Sequence, residues 1–365
     1  VRWLPILSGT VSRLTVAHPV HERPPTRGCA NRRGLAMSRS SVRARAAAVA
    51  AFAILAVAGC SAQPTGEAST EPSSEPAASV TVSNCGTEVS FDAAPQRVVT
   101  IKSSTTEALL ALGLGERIIG MAFQDGPVPE QWAAEAASIP VISPQVPSEE
   151  AVLELEPDLV FGGWESAFSP EGAGARADLA ALGIASYVSP AACQSAGQPA
   201  KLSFDDIDAH IQELADIFRV DASSLLAEQR STLTSVEAVG AGRTALWYSS
   251  GNDTPYVGAG IGAPQLVLET VGLTNIAGDV DATWAPLNWE AVVDANPDFI
   301  VLIDAAWNTA QSKIEMLDAN PATAALPAVQ NRRYLILPFA ASEAGVRTVE
   351  AAASLAAQIM KLDGS

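Results

Sequence analysis

The sequence predicts an α/β protein of two Rossmann-like lobes, mainly parallel sheets flanked by helices, joined by a long backbone helix with a ligand cleft between the lobes. Three observations carry this. Short apolar strands alternate with helices along the chain. A segment recurs, with "EAVLELEPDLVF" at 150–161 matched by "EAVVDANPDFIV" at 290–301. A stretch of helical periodicity separates the two halves.

In chain order, "RVVTI" (97–101) reads as a strand and "SSTTEALLALGL" (103–114) as a Ser/Thr-capped helix that stops at a glycine. "ERIIGMA" is the next strand. "PSEEAVLELEPDLVFGG" (147–163) is a capped helix, a proline turn and a strand, and "ADLAALGIASYVSP" repeats helix then strand. Within 203–239, Ile207, Ile211, Leu214, Ile217 and Phe218 keep helical spacing. Leu225, Leu226, Leu233 and Val236 continue the apolar face after a break near Asp221-Ala222-Ser223. "RTALWYSSG" (243–251) then stands where "RVVTIKSST" stands in the first half. "VGLTNIAG" (271–278) resembles "LGLGERIIG" (112–120), and "RRYLILPFA" (332–340) adds a late strand. Chance likeness between generic α/β segments is the competing account, but the helix–Pro-Asp–strand match is ungapped. The expected organisation is an N-terminal lobe at 85–202, a connecting helical region at 203–239 and a C-terminal lobe at 240–365.

The N-terminal part has a different character. Residues 1–36 carry prolines and arginines without helical periodicity and are read as an over-long gene start or unstructured extension. From Met37, a short Arg-bearing segment leads into 13 apolar residues, Ala46 to Ala58, then Gly59-Cys60. At about 1.5 Å per residue that run is too short for a hydrocarbon core of about 30 Å, so 37–59 reads as an export signal. Residues 60–84, rich in Ser, Pro, Glu, Thr and Ala beyond the cysteine, read as a tether, with order beginning near Cys85.

Nine of the 22 basic residues but only one of the 40 acidic ones fall in 1–60, which leaves a formal charge of −26 on 61–365. Such a field repels nucleic acid and anionic membranes, so no nucleic-acid partner is expected. Export to an oxidising compartment makes a Cys85–Cys193 disulfide the expectation, with two buried free thiols as the alternative. No metal site is expected, because the cysteines are far apart in sequence and His210 is the one histidine of the exported part. Nor is an enzyme: nucleophile-elbow, zinc-protease, Walker and Rossmann glycine motifs are missing. No cofactor is expected. "VGAGIGAP" (257–264) is Gly-rich without dinucleotide spacing, and His210 reads as a surface or interlobe residue rather than a base.

Val57-Ala58-Gly59-Cys60 resembles the bacterial lipoprotein box, whose cysteine becomes the lipidated N-terminus. Signal, tether, two β/α lobes and helical connection together resemble a substrate-binding lipoprotein of an ABC importer, of the siderophore, haem and cobalamin type with a helical backbone. "AAPQRVV" with "STTEALLALGL", and "PSEEAVLELEPDLVFGG", carry that likeness over about 85–360. It implies a lipid-anchored monomer on the extracytoplasmic face of the cell membrane, with a permease and its ATPase as partners and a small molecule as ligand. "DGPVPEQW", "GGWESAFS", "YVSPAACQ", "ALWYSSGNDTPYVGAGIGAPQ", "DAAWNTA" and "PFAASEAGVR" further resemble an actinobacterial subgroup proposed to bind coenzyme F420-0, a deazaflavin phospholactate. An iron-siderophore, haem or cobalamin is the alternative ligand within transport, and a structural or adhesive surface lipoprotein the alternative outside it.

The ligand is expected at the carboxyl ends of the parallel strands. Lys102, Ser103, Ser104 and Thr105 follow the first strand, and Trp164 and Glu165 the Pro-Asp strand. Trp247 and Tyr248 lie on the strand opening the second lobe. Trp284 is in a loop, Trp307 and Asn308 follow "FIVLIDAA", and Arg347 follows "PFAASEAG". The aromatics are expected to stack a flat conjugated ligand while Lys102 and Arg347 meet its acidic groups; packing into a lobe, or a solvated charge, is the alternative for each. Glu150 and Glu290 hold equivalent positions in the repeat, two residues after the candidate N-caps Ser148 and Asn288. The resemblance implies that they dock against permease arginines, while complementing the helix dipole is the simpler account.

Overall fold

The computed structural model describes residues 78–197 and 199–364. The extension, the signal, Cys60 and the tether as far as residue 77 lie outside the described residues. Order starts earlier than Cys85. β1 (Val80–Asn84) pairs antiparallel with β2 (Thr87–Phe91), since Val82 and Asn84 alternate inward from a stretch that composition alone marks as polar.

The N-terminal lobe is a five-stranded parallel sheet of β3 (Val98–Ile101), β4 (Ile118–Ala122), β5 (Val141–Ser143), β6 (Leu159–Gly162) and β7 (Ala185–Val188), in the order β5-β4-β3-β6-β7. Successive residues feed opposite faces. Val98 and Phe161 join the core beneath the helices Ser103–Ala111 and Phe204–Phe218, and Val99, Ile101 and Val160 join the core on the other side.

The C-terminal lobe contains β8 (Arg243–Ser250), β9 (Tyr256–Gly258), β10 (Leu273–Asn275), β11 (Trp284–Pro286), β12 (Phe299–Asp304) and β13 (Tyr334–Pro338). Its path is β11-β9-β8-β12-β13, with β10 also on β8. β10, β12 and β13 run parallel to their neighbours, whereas β9 and β11 are antiparallel, so this sheet is mixed.

The repeat is structural. The helices Glu149–Leu153 and Trp289–Ala295 lead into β6 and β12, which lie beside β3 and β8. The Pro-Asp step has one job in both lobes. Asp158 accepts from the Gln96 and Arg97 amides, and Asp298 from the Thr244 amide, pinning the start of the neighbouring central strand.

Between the lobes, the helix Phe204–Phe218 starts on a Ser203–Asp206 capping box and buries Ile207, Ile211, Leu214, Ile217 and Phe218. It ends at Arg219 in the left-handed conformation, and Ser223–Ser235 follows beyond a turn in which Asp221 accepts from the Ser223 amide. The first helix packs into the N-terminal core and the second against the C-terminal helix Thr348–Asp363, so the connection is two docked helices. His210 packs among core aromatics, its ring stacked on Tyr187 at 6.0 Å, and burial lowers its pKa to about 4. Cys85 in the hairpin turn and Cys193 after β7 form a disulfide with their Cα atoms 5.0 Å apart.

Candidate ligand-binding cleft

In the N-terminal sheet the chain runs outward from β3 through β4 to β5, then returns to the other side with β6. The carboxyl ends of β3 and β6 therefore flank a topological switch point, where open α/β sheets hold ligands. The loops there face the ends of β8, β12 and β13 across a cavity of about 360 Å³. Its walls bring together Ser104, Trp164 and Ser166 from one lobe with Ser249, Ser250, Tyr256, Trp284, Trp307, Phe339 and Glu343 from the other. A second cavity of about 260 Å³ adjoins it and shares Ala191, Ala192, Gln194, Pro199, Ile261 and Thr283.

Trp284 stacks on Tyr256 at 12° between ring planes, and Trp307 meets Phe339 edge-on at 5.4 Å. Tyr256 and Trp307 are 43% and 45% exposed, so both keep a free aromatic face for a ligand. Glu343 is the one charged side chain among the described lining residues. Its Oε2 accepts from Ser104 Oγ at 2.6 Å and its Oε1 from Trp164 Nε1 at 2.5 Å, so one carboxylate ties both lobes together. Burial pushes its pKa up, Lys102 pulls it down and Asp125 pushes it up again.

Lys102 lies behind this wall, not in it. Its side chain is fully buried, its ammonium is ion-paired with Asp125, and the Phe123, Trp164 and Phe339 rings sit 4.0 to 4.3 Å away. Its backbone, at φ 91 and ψ 147, approaches a region that glycine alone occupies readily, a strain of about 1–3 kcal/mol. The helix after it consequently starts on Lys102 without a side-chain cap, where a Ser/Thr cap was expected. Gly163 has to be glycine here, because a Cβ would come 2.9 Å from the Lys102 Cβ. Asp125 also accepts from Trp307 Nε1 at 3.2 Å, and its carbonyl from the Ala306 amide at 2.6 Å, which adds a second bridge between the lobes.

Of the residues expected to meet ligand, Ser104, Trp164, Trp284 and Trp307 line the cavity. The others do not. Ser103 Oγ accepts from the Asp125 amide, and Thr105 hydrogen-bonds the carbonyls of Ile101 and Lys102. Glu165 ties down the segment after β7 by accepting from the Gln194 and Ser195 amides. Trp247 and Tyr248 are buried in the middle of β8, one on each face, because helices cover both sides of that sheet. Only the last residues of the strand, Ser249 and Ser250, reach the cavity. The carbonyl of Asn308 accepts from the buried Lys313. Arg347 pairs with Glu350 at 2.8 Å and Glu107 at 3.6 Å, outside the cavity. The expected cationic contacts are thus consumed inside the protein.

Glu343 and Asp125 escaped sequence reasoning. Glu343 lies in "PFAASEAGVR", from which the sequence singles out Arg347, and Asp125 lies in "DGPVPEQW", which carries no candidate site residue. The Gly-rich "VGAGIGAP" also contributes, since Ile261, Gly262, Ala263 and Pro264 form one wall. Glu150 and Glu290 sit exposed in the first turns of their helices, capped by Ser148 and Asn288. Among the described residues no group of His, Cys, Asp and Glu is arranged to hold a metal ion, and no helix is long and apolar enough to cross a membrane.

A family model described as periplasmic binding protein matches residues 98–341. An uncharacterised ABC transporter substrate-binding lipoprotein of Bacillus subtilis, YvrC, is 25% identical over 285 residues, covering 74% of this chain and 82% of its own. The solved periplasmic binding protein from Veillonella parvula superposes with a TM-score of 0.66 at 26% identity, over 77% of this chain and 97% of that one. An ABC-type Fe3+-hydroxamate transport system from Saccharomonospora viridis gives 0.65 at 24%, covering 78% and 99%. The periplasmic haem-binding protein RhuT from Roseiflexus, in apo form, gives 0.58 at 24%, covering 73% and 98%.

Proposed function

Because the chain belongs to the periplasmic binding protein family, we propose that it captures an iron chelate of the siderophore type for an ABC importer, from a lipid anchor at Cys60. Members of this family are substrate-binding components of ABC importers, extracytoplasmic and not enzymes. The observation that carries the ligand class is the cleft itself: aromatic faces, serine hydroxyls, one carboxylate and, among the described lining residues, no cation. A chelate brings its own metal ligands, so it needs none from the protein, and its organic shell suits Tyr256, Trp284 and Trp307. Haem and the deazaflavin phospholactate both carry acidic groups that call for a basic partner. Lys102 and Arg347 are already paired with Asp125, Glu107 and Glu350. A ferric hydroxamate, neutral at its metal centre, makes no such demand. This is also the ligand type of the Saccharomonospora viridis system that shares the fold.

Glu150 and Glu290 are the proposed docking points for the permease, since the repeat puts one exposed carboxylate in the same helical turn of each lobe. The test of the ligand class is a tryptophan-fluorescence titration of the purified protein with a ferric trihydroxamate, haem, cobalamin and coenzyme F420-0. Saturable, tight quenching by the trihydroxamate is expected, weakened by Trp307→Ala. Tight binding of the deazaflavin with none of the chelate would transfer the assignment to the subgroup that the loop sequences resemble.

A further inference from the structure

We infer that the cleft selects ligands bearing a cationic centre, an ammonium or amine carried on the chelate, with Glu343 as its counter-ion and the surrounding indoles as its wall. The inference rests on the reading of this cleft as the ligand site and adds the charge of the ligand to it.

The charges around the cavity do not cancel. Lys102 from the β3 loop and Asp125 from the β4 loop face Glu343 from behind, and they neutralise each other as an ion pair. Glu343 remains. Among the described residues no lysine, arginine or histidine forms an ion pair with it, and its two hydrogen bonds come from neutral donors, Ser104 and Trp164. A carboxylate has about four acceptor positions, and Ser104 and Trp164 occupy two of them.

Removing water from a carboxylate costs free energy unless a charge replaces it. An arriving ammonium supplies that charge, whereas an arriving carboxylate or phosphate adds a second like charge in a place of reduced dielectric. The aromatic groups act in the same direction. Trp164, Trp307 and Phe339 lie beside Glu343 in the wall, and ring faces attract cations. The fold already uses this on Lys102, whose ammonium is held among Phe123, Trp164 and Phe339.

The probes are three forms of one linear ferric trihydroxamate: with a free terminal ammonium, N-acetylated and neutral, and N-succinylated and anionic. Metal centre and backbone are shared, so affinity differences report charge at one end. The ammonium form is expected to bind roughly ten- to a hundredfold tighter than the acetylated one, the scale of a charge-assisted hydrogen bond, with the succinylated form weakest. Glu343→Gln, which preserves shape and an acceptor, should bring the three affinities within about threefold of one another. Trp307→Leu should weaken all three and keep their order. Equal affinities in the wild type, or an order that survives Glu343→Gln, would overturn the inference and leave the chelate reading intact. If no form binds, the chelate reading fails, and charge selection is read from benzyltrimethylammonium, benzyl alcohol and benzoate. Equal quenching of the cleft tryptophans by those three would then overturn it.

Discussion

Replacing Asp125 by asparagine keeps the shape of the side chain and removes one charge from a fully buried pair. Lys102 is 0% exposed and Asp125 1%, so the ammonium cannot turn to water when its partner is lost. Removing one member of such a pair costs about 3–5 kcal/mol. Two features of the site hold the cost to the lower end. The three rings around the ammonium retain their attraction, of order 1–2 kcal/mol, and Glu343 lies close enough to Lys102 for the two charges to interact. With Asp125 neutral, the Glu343 carboxylate is the group left to compensate Lys102. The expected loss in Asp125→Asn is therefore about 3 kcal/mol, or roughly 6 °C in Tm for a chain of this size. Adding Glu343→Gln removes the substitute, so the double variant should lose more than the sum of the single variants by at least about 1 kcal/mol. Urea unfolding followed by tryptophan fluorescence measures all three. A loss below about 1 kcal/mol in Asp125→Asn, or additivity in the double variant, would refute the shared-charge argument.

Four further outcomes are expected. Between about pH 4.5 and 7 the unfolded chain has released the Glu107 proton while the folded protein retains it, because burial raises this pKa to about 7 against the pull of Arg347. Stability falls over that window, and the advantage of Glu107→Gln over wild type should grow by about 3 kcal/mol from pH 4.5 to 7.5 in denaturant titrations. His210 titrates in both proteins and cancels from the difference. Reversing Glu150 or Glu290 to arginine should cut uptake by cells at least tenfold with ligand affinity unchanged, each desolvated pair being worth about 2–5 kcal/mol on truncation; normal uptake by both would end the docking role. Replacing Cys85 and Cys193 by alanine reopens a separation of 108 residues, so about 2–4 kcal/mol of unfolding free energy should disappear. Ligand should also leave faster, because the bond anchors the segment that carries Ala191, Ala192 and Gln194 in the cavity wall. Cys60→Ala should abolish incorporation of radiolabelled lipid, and equal labelling of both proteins would remove the anchor.

The periodicities in this sequence are local, and what they reported was local too. The helix spacing of Ile207, Ile211, Leu214, Ile217 and Phe218 fixed which face is buried, and the break at Asp221 appears where the pattern lapses. The Pro-Asp repeat placed β6 and β12 in equivalent positions, because a strand beside its own pinning aspartate is encoded in a dozen residues. The antiparallel β9 and β11 had no counterpart in the first half and were invisible in the repeat. Side-chain fate followed pairing that sequence cannot supply. Trp247 and Tyr248 looked like cleft residues until β12 and the flanking helices enclosed both faces of β8, and Ser249 and Ser250 took their place at the strand end. Lys102 and Arg347 read as free cations, but their partners Asp125 and Glu107 come from other turns of the chain. The charge of the cleft is a sum over groups brought together from both lobes. One carboxylate from elsewhere in the chain beside each cation cancels it and leaves Glu343 to set the sign, so tertiary structure alone could decide it.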